Sequence, residues 1–340
     1  MRKLLNTLYV TTPESYLSKD GLNVVVSVNQ KEIFRIPIVN LEGIVTFGYM
    51  GASPGLMRLC SEYNVSLSFL SPHGKFIGRF QGPIKGNVLL RTRQWELAKD
   101  ENFTLGISKL FVAGKIQNYR NILARFLRDN GDNAMVRETV AQLKHCAKKA
   151  LKAENMEYLR GVEGDAANRY FDVFPQLILH QKGNFVFHGR NRRPPKDAVN
   201  AMLSFVYTLI TSDVTAALET VGLDPYVGFM HTLRPGRASL ALDMMEELRA
   251  YLGDRLVLSL INRKQLCIND FIHHGEDEVV LTENGRKILL SAWQNRKKET
   301  ITHPFLGEKI SIGLLPYAQA MLLARYIRQD IDNYPVFLIS

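Results

Sequence analysis

A glutamate between two glycines is the first group in this sequence whose setting could support chemistry. Glu163 lies between Gly161 and Gly164, within a segment where apolar residues recur at helical spacing. Each glycine weakens a helix by about 1 kcal/mol relative to alanine, but the missing side chains let an ion or a phosphate approach closely. A carboxylate at the edge of an apolar stripe is partly desolvated unless a cation meets it. The alternative is a solvated glutamate with incidental glycines.

A histidine and three acids follow further along the chain. His231 lies in an irregular stretch interrupted by Gly and Pro, and loops of this kind often carry function. Asp243, Glu246 and Glu247 are spaced by three and four positions, so they can share one side of a helix. Their repulsion, a few tenths of a kcal/mol per pair, would be removed by a divalent cation. The alternatives are a packing histidine and a solvated acidic face answered by Arg249.

One glutamate, one histidine and one further acid make a mostly oxygen ligand set. Such a set suits Mg²⁺ or Mn²⁺ better than zinc, which favours sulfur and nitrogen ligands. In phosphodiester chemistry the ion polarises a phosphoryl oxygen and activates an attacking water or hydroxyl. The spacing alone leaves open whether these residues meet in the fold.

Clusters of basic residues provide candidate contacts to phosphate. Arg234 and Arg237 flank Pro235-Gly236 just after His231. A second cluster crowds one loop before a long apolar segment and contains Arg190, Arg192, Arg193 and Lys196. A third runs along one predicted helix face, with Lys144, Lys148 and Lys152 four positions apart. Each cluster alone is also compatible with a solvated surface.

Composition narrows the function classes. Lys and Arg number 43 against 33 Asp and Glu in 340 residues, a net charge of +10 that favours an anionic partner, nucleic acid first. The three cysteines, Cys60, Cys146 and Cys267, form no CxxC pair, which argues against a zinc ribbon or a disulfide framework and suits a reducing cytoplasm. The chain lacks a Walker loop, GxSxG and HExxH, so nucleotide and serine hydrolysis lose support.

Periodicity predicts an α+β protein with two domains. Residues 1–86 are expected to form a small N-terminal β-sheet domain with one helix, and residues 87–340 a larger, mainly α-helical domain. Strands are expected at 22–28 and 33–39 around a hairpin-like break at Asn29-Gln30-Lys31. Helical character is expected from 88 to 127, and helices at 134–155, 156–180, 196–220, 239–252 and 316–334. We expect no membrane span, because no stretch of about 18 residues is both apolar and uncharged, and we expect no signal peptide.

Three stretches taken together resemble the CRISPR-associated Cas1 family, the integrase and endonuclease of spacer acquisition. In chain order they are Gly161-Val162-Glu163-Gly164; Asn191-Arg192-Arg193-Pro194-Pro195 with Asn200-Ala201-Met202-Leu203-Ser204-Phe205-Val206-Tyr207; and Gly222-Leu223-Asp224-Pro225-Tyr226-Val227-Gly228-Phe229-Met230-His231 with Ser239-Leu240-Ala241-Leu242-Asp243-Met244-Met245-Glu246-Glu247-Leu248-Arg249. The resemblance covers essentially the whole chain. Small features resemble the branch that works with the subtype I-C interference machinery.

The resemblance implies a metal-dependent DNase that inserts protospacer DNA into a repeat array by attack of a 3′-hydroxyl on a phosphodiester. The implied ligands of Mg²⁺ or Mn²⁺ are Glu163, His231 and Glu246. At the position of Glu246 several family members have Asp, and Asp243 matches a supporting acid. It also implies a homodimer formed through the β domains and a heterohexamer with the small ferredoxin-like Cas2. From charge and nearness to the motifs we add candidate DNA contacts at Arg190, Arg192, Arg193, Lys196, Arg234 and Arg237. Tyr170 is a candidate for stacking on a nucleotide or, equally, a core aromatic.

Two other functions remain open on the sequence alone. The acids could be structural, in a non-catalytic DNA-binding scaffold that captures DNA ends for a partner. The same active site could also serve a repair nuclease that acts on branched DNA. Only substrate preference separates this second alternative from an integrase.

Overall fold

The N-terminal part of the chain is built from two sheets and a helix. The computed structural model describes residues 6–12, 14–48, 50–63, 65–71, 76–80, 82, 88–191, 194–275 and 278–339. A mixed sheet has the strand order β1-β5-β6-β7, in which β5 is parallel to both of its neighbours and β7 is antiparallel to β6. Its strands are β1 (Asn6–Val10), β5 (Leu41–Phe47), β6 (Ser66–Leu70) and β7 (Phe76–Phe80).

The second sheet is an antiparallel meander with a tight hairpin. It consists of β2 (Tyr16–Asp20), β3 (Asn23–Val28) and β4 (Lys31–Pro37). Asn29 and Gln30 join β3 to β4 with φ angles of 49° and 62°, as a two-residue hairpin turn with right-handed strand twist requires. The predicted hairpin is therefore confirmed. Helix α1 (Pro54–Tyr63) buries Leu56, Leu59 and Cys60 in the core of this part.

The rest of the described chain is mainly helical, as predicted. Its helices are α2 (Val88–Leu97), α3 (Glu101–Asn130), α4 (Ala134–Leu151), α5 (Met156–Val173), α6 (Ala198–Val221), α7 (Ser239–Arg249), α8 (Arg255–Asn262), α9 (Glu283–Lys298) and α10 (Leu315–Ile327). A π-helical turn at Ala250–Asp254 joins α7 to α8. Two short ribbons pair β8 (Phe271–His274) with β9 (Glu278–Leu281) and β10 (Thr300–Thr302) with β11 (Lys309–Ser311).

Side-chain caps set where several of these helices begin. Asp100 accepts hydrogen bonds from the backbone N–H groups of Asn102 and Phe103, and so starts α3. The helical character predicted over 88–127 is therefore divided between α2 and α3. Asn133, Asn155 and Asp197 cap α4, α5 and α6 in the same way. Helices α4, α5 and α10 end earlier than predicted, at Leu151, Val173 and Ile327.

The two parts share apolar contacts. Phe47 of β5 stacks on Phe205 of α6 with ring centroids 5.9 Å apart, and Arg79 of β7 forms an ion pair with Glu219 of α6. The predicted domain boundary between residues 86 and 87 lies outside the described residues. The division at 86 stays a prediction.

Helix α6 is long and apolar enough to cross a membrane on length and composition alone. Of its most apolar window, however, 67% is buried inside the protein. Residues from all of its turns belong to the main core, which is typical of a central helix in a globular fold.

Candidate active site

Helix α5 carries Glu163 on the face that points toward helix α3. The Asn155 side chain accepts a hydrogen bond from the Tyr158 N–H at 2.8 Å and fixes the first turn of α5. Glu163 is 23% exposed, so the carboxylate lies at the border between core and solvent. A Cβ built at Gly161 or Gly164 would meet no atom within 4 Å. Packing within the chain therefore does not require glycine at either position.

The loop that carries His231 is fastened to the start of helix α7. A Cβ at Gly228 would come within 2.7 Å of the Ser239 backbone and 2.8 Å of Asp243 Oδ2, so this approach requires glycine. Gln94 of α2 is buried and bonds the backbone of Asp224 and Val227, which holds the other end of the loop. The sequence predicted this stretch to be irregular, and the described loop matches that prediction.

Asp243 orients the histidine instead of facing an open site. The side chain is 0% exposed. One oxygen accepts from the N–H groups of Phe229 and Met230 at 2.6 and 3.0 Å. The other accepts from the His231 N–H at 3.0 Å and lies 2.6 Å from His231 Nδ1. Since the carboxylate accepts, Nδ1 carries a proton, and Nε2 is the nitrogen that has the lone pair when the ring is neutral, the arrangement found behind metal-binding histidines.

A buried lysine joins the two glutamates. Lys115 of α3 is 1% exposed, and its ammonium pairs with Glu163 Oε1 and lies 2.7 Å from Glu246 Oε2. The second oxygen of Glu246 accepts a 2.8 Å hydrogen bond from Arg249. Arg160, one turn before Glu163, donates to the carbonyl of Met230. Helices α3, α5 and α7 and the His231 loop therefore meet at one place.

The charges of this cluster are mutually dependent. Burial alone would raise the pKa of the Glu246 carboxyl, but Arg249 and Lys115 outweigh burial, and His231 adds to their effect, so the pKa falls to about 2. For Lys115 the directions are reversed: burial alone would lower its pKa, but Glu246 and Glu163 raise the pKa above its ordinary value. Both groups are thus charged at neutral pH, and the contacts are ion pairs.

Glu247 points away from the other acids. It is fully buried and binds the C-terminal segment, accepting from the Phe337 N–H at 2.6 Å, from the Tyr334 hydroxyl at 2.5 Å and from Gln319 at 3.0 Å. Burial raises the pKa of Glu247 to about 7, against the lowering effect of these donors. The proposed solvated acidic face is therefore wrong: in the structure α7 buries Asp243, Glu246 and Glu247.

The predicted ligands meet in part. Glu163 and Glu246 contact the same ammonium, and the His231 loop is bound to α5 through Arg160 and to α7 through Asp243. Within the described ranges, however, no group of three or more His, Cys, Asp or Glu side chains lies close enough together to hold a metal ion. The Lys115 ammonium lies between the two carboxylates.

The candidate DNA contacts are distributed unevenly. Arg234 is exposed beside the His231 loop and Arg237 is half-buried. Arg190 is half-buried and donates to the side chains of Asn200 and Ser204, so it fastens its loop to α6. Lys196 is exposed at the end of the same loop. Two further candidates, Arg192 and Arg193, lie outside the described residues.

Tyr170 is a core residue, and a role in stacking on a nucleotide does not fit its position. The side chain is 0% exposed, and its ring stacks on Tyr119 with centroids 3.8 Å apart. Phe171 and Phe174 pack edge-on against the same ring. A base could reach Tyr170 only if this aromatic cluster separated.

Sequence reasoning missed Lys115, Gln94 and Arg160. One signal was available for Lys115, since Phe111, Lys115, Tyr119 and Ile122 lie at helical spacing and the other three are apolar or aromatic. A lysine inside an apolar stripe needs an acidic partner. Gln94 and Arg160 donate to backbone carbonyls of a loop that is distant in sequence, and such hydrogen bonds produce no recognisable pattern in the sequence.

Comparison with known proteins places the chain in one family. The family model of CRISPR associated protein Cas1 matches residues 8–295. A CRISPR-associated endonuclease Cas1 of Chlorobaculum tepidum is 50% identical over 341 residues, which cover 99% of each chain. Another, of Rhodospirillum rubrum, is 47% identical over 342 residues, which cover 98% of each chain.

Solved structures show the same fold at low identity. A CAS1 protein from Thermotoga maritima superposes with a TM-score of 0.83 at 23% identity, covering 98% of this chain and 99% of that chain. A casposase bound to integration product gives a TM-score of 0.83 at 22% identity, covering 98% and 93%. A Cas6-RT-Cas1–Cas2 complex contains a chain that matches with a TM-score of 0.83 at 23% identity, covering 99% of this chain and 36% of that chain.

Proposed function

This chain belongs to the Cas1 family of CRISPR-associated proteins, and from that premise we propose that it is a metal-dependent DNA endonuclease and integrase of CRISPR adaptation. The 3′-hydroxyl of a protospacer attacks a phosphodiester at a repeat boundary and loses its proton as the new P–O bond forms. The bond from phosphorus to the 3′-oxygen of the repeat strand breaks, this leaving oxygen takes up a proton, and the protospacer becomes joined to the array. The observation that carries the proposal is that Glu163 and Glu246 converge on one ammonium, while the His231 loop is bound to the helices that carry them, to α5 through Arg160 and to α7 through Asp243. The curated relatives of the chain are named endonucleases.

The proposed ion is Mg²⁺ or Mn²⁺, held by Glu163, Glu246 and Nε2 of His231. Two carboxylates and one imidazole are a donor set that fits such ions. When bound, the ion would polarise the phosphoryl oxygen and stabilise the charge that develops on the reacting oxygens. Asp243 keeps the proton of the imidazole on Nδ1, and Arg249 keeps Glu246 ionised.

The proposed DNA path runs along the basic residues near this cluster. Arg234 and Arg237 follow His231 directly and provide positive charge beside the acids. Lys196, with Arg192 and Arg193, is proposed to contact the phosphate backbone from the loop before α6. Arg190 is a weaker candidate, since it bonds side chains of α6. The open space beside Gly161 and Gly164 would let a phosphate approach Glu163.

We further propose the assembly that the family resemblance implies. The β domain of residues 1–86 would form a homodimer, and two dimers would flank a Cas2 dimer in a heterohexamer. One structural relative is part of a Cas1–Cas2 complex, and another is bound to integration product, which supports Cas2 and DNA as partners. We propose that the protein acts in the cytoplasm. Its placement in the subtype I-C branch stays a prediction.

The test is strand transfer by the purified chain with its Cas2 partner. A short duplex with 3′-hydroxyl ends is incubated with Mn²⁺ and a supercoiled plasmid that carries a CRISPR repeat. We expect joined product with the wild type and with Glu157→Gln, an exposed glutamate in the first turn of α5. We expect none with Glu163→Gln and none in EDTA.

Two results would favour the alternatives. DNA binding without product or cleavage in any variant would support the non-catalytic scaffold. Metal-dependent cleavage of branched DNA without joining at the repeat would support a repair nuclease. Full activity in chelator would refute metal catalysis.

A further inference from the structure

A fully buried ammonium lies between the two carboxylates that we assign as cation ligands. Lys115 is 1% exposed and contacts Glu163 and Glu246, which come from different helices. A buried lysine is stable only when an acid compensates its charge. Here two acids do so, and the lysine in turn holds together two carboxylates that would otherwise repel each other.

The second cation of the cluster is anchored differently. Arg249 donates to the other oxygen of Glu246 at 2.8 Å, and its guanidinium lies over the Tyr207 ring, 4.9 Å from the centroid. Among the described ion pairs Arg249 is joined to Glu246 and not to Glu163. Lys115, by contrast, ends in a compact ammonium on a flexible four-carbon stem, and it alone bridges the two acids among the described ion pairs.

On the basis of the function proposed above, we infer that Lys115 is an internal counter-cation that competes with the divalent ion for Glu163 and Glu246. The carboxylate oxygens that contact the ammonium are also the donors to a bound ion, and like charges so close together repel. A divalent ion therefore has to displace the ammonium. The site stays assembled without metal, at the cost of weaker metal binding.

Removing the charge of Lys115 is thus expected to strengthen metal binding. The test is calorimetric titration of the EDTA-stripped full chain with Mn²⁺ alone. We expect the dissociation constant to fall at least about tenfold in Lys115→Met and in Lys115→Gln, because one repelling charge is gone. Lys182→Met removes an exposed charge in a distant loop and controls for net charge, so it should bind like the wild type. Glu163→Gln should bind most weakly.

Thermal unfolding provides a second measurement in the same samples. In EDTA both Lys115 variants should melt below the wild type, since the two acids then repel without compensation. Mn²⁺ should raise their melting temperatures by more than it raises that of the wild type. Should the methionine variant fail to fold, the glutamine variant and Lys115→Arg, which keeps the charge and should gain no affinity, still decide the question.

The outcomes separate this inference from the proposed function. Equal or weaker Mn²⁺ binding in the Lys115 variants, with clear binding by the wild type, overturns the inference and leaves the metal site standing. Absence of Mn²⁺ binding in the wild type and in every variant refutes the metal site and the inference together. Binding that appears only in the Lys115 variants supports strong competition.

Discussion

Replacement of Asp243 by asparagine tests how the histidine is positioned. The two oxygens of Asp243 each receive two donors: the Phe229 and Met230 N–H groups on one, the His231 N–H and Nδ1 on the other. An amide offers a single oxygen, so its NH₂ group must replace either the oxygen that accepts from Phe229 and Met230 or the oxygen that faces His231. The first orientation loses two hydrogen bonds, and the second loses one if Nδ1 becomes an acceptor. Hydrogen bonds to a charged group contribute roughly 1.5–3 kcal/mol each, so the cost is about 1.5–6 kcal/mol.

Two consequences of Asp243→Asn can be measured. The unfolding free energy in EDTA should fall by that amount, as read from denaturant titration. The rate of Mn²⁺-dependent DNA cleavage should fall about 10- to 100-fold, the usual effect of losing the group behind a metal-binding histidine. The physical cause is that the amide NH₂ favours an imidazole with its proton on Nε2, which removes the lone pair that the proposed ion needs.

Asp254→Asn is the matched control. Asp254 is also fully buried, but the hydrogen-bond donors to its carboxylate are neutral phenols, the Tyr207 hydroxyl at 2.6 Å and the Tyr170 hydroxyl. Burial raises the pKa of Asp254 to about 6, so a neutral amide replaces it at smaller cost. We expect a cleavage rate near that of the wild type. Wild-type stability and a wild-type cleavage rate in Asp243→Asn would refute the reasoning. Equal losses of cleavage rate in both variants would show that Asp243 contributes to packing and does not position the histidine.

Two further predictions concern stability. The folded-state pKa of Glu246 is lowered to about 2 from 4.5. Its contribution to the free energy of unfolding, on the order of 3 kcal/mol, is therefore present above pH 4.5 and is lost as the pH falls toward 2. In EDTA, Glu246→Gln should lose less stability over that pH window than the wild type, and an unchanged slope would contradict the shift. Asn118 donates to the carbonyls of Glu247 and Phe337 and accepts from the Ile339 N–H. Asn118→Ala should lower the unfolding free energy by roughly 3 kcal/mol, measured by urea titration. The loss should exceed that in Asn121→Ala, which removes a hydrogen bond to the Ile339 carbonyl. Equal effects of the two asparagine variants would show that the C-terminal segment is held by other contacts.

Local patterns were sufficient for much of the fold. The hairpin at Asn29 and Gln30 follows from two residue types that tolerate positive φ, and the change from period two to helical spacing separates the sheets from the helices. The ribbons β8-β9 and β10-β11 were not predicted. Strands of three or four residues are too short for alternation to be recognised, and their pairing depends on contacts that a local pattern does not contain.

The residues of the proposed site were named from the sequence, but their contacts were not predicted. Glu163, His231 and Glu246 were expected from residue chemistry and from the resemblance. Lys115 was missed because its setting depends on Glu163, 48 positions away in sequence. Its apolar neighbours at helical spacing indicate that Lys115 is buried and needs an acidic partner, but only the assembled fold shows which acids it contacts.

Glu246 and Glu247 show why adjacent identical residues take different roles. Consecutive positions on a helix point about 100° apart, so one glutamate faces α3 and α5 while its neighbour faces the C-terminal segment. Two cations lower the pKa of Glu246, whereas burial among neutral donors raises that of Glu247 to about 7. A cation ligand must stay ionised, and Glu246 meets that condition. Lys115 and Arg249 keep Glu246 ionised, as its proposed role as a ligand requires, and in the proposed site the same cations would oppose the entry of a metal ion. The affinity for the proposed ion would then be set by the balance between these two effects, and not by the acids alone.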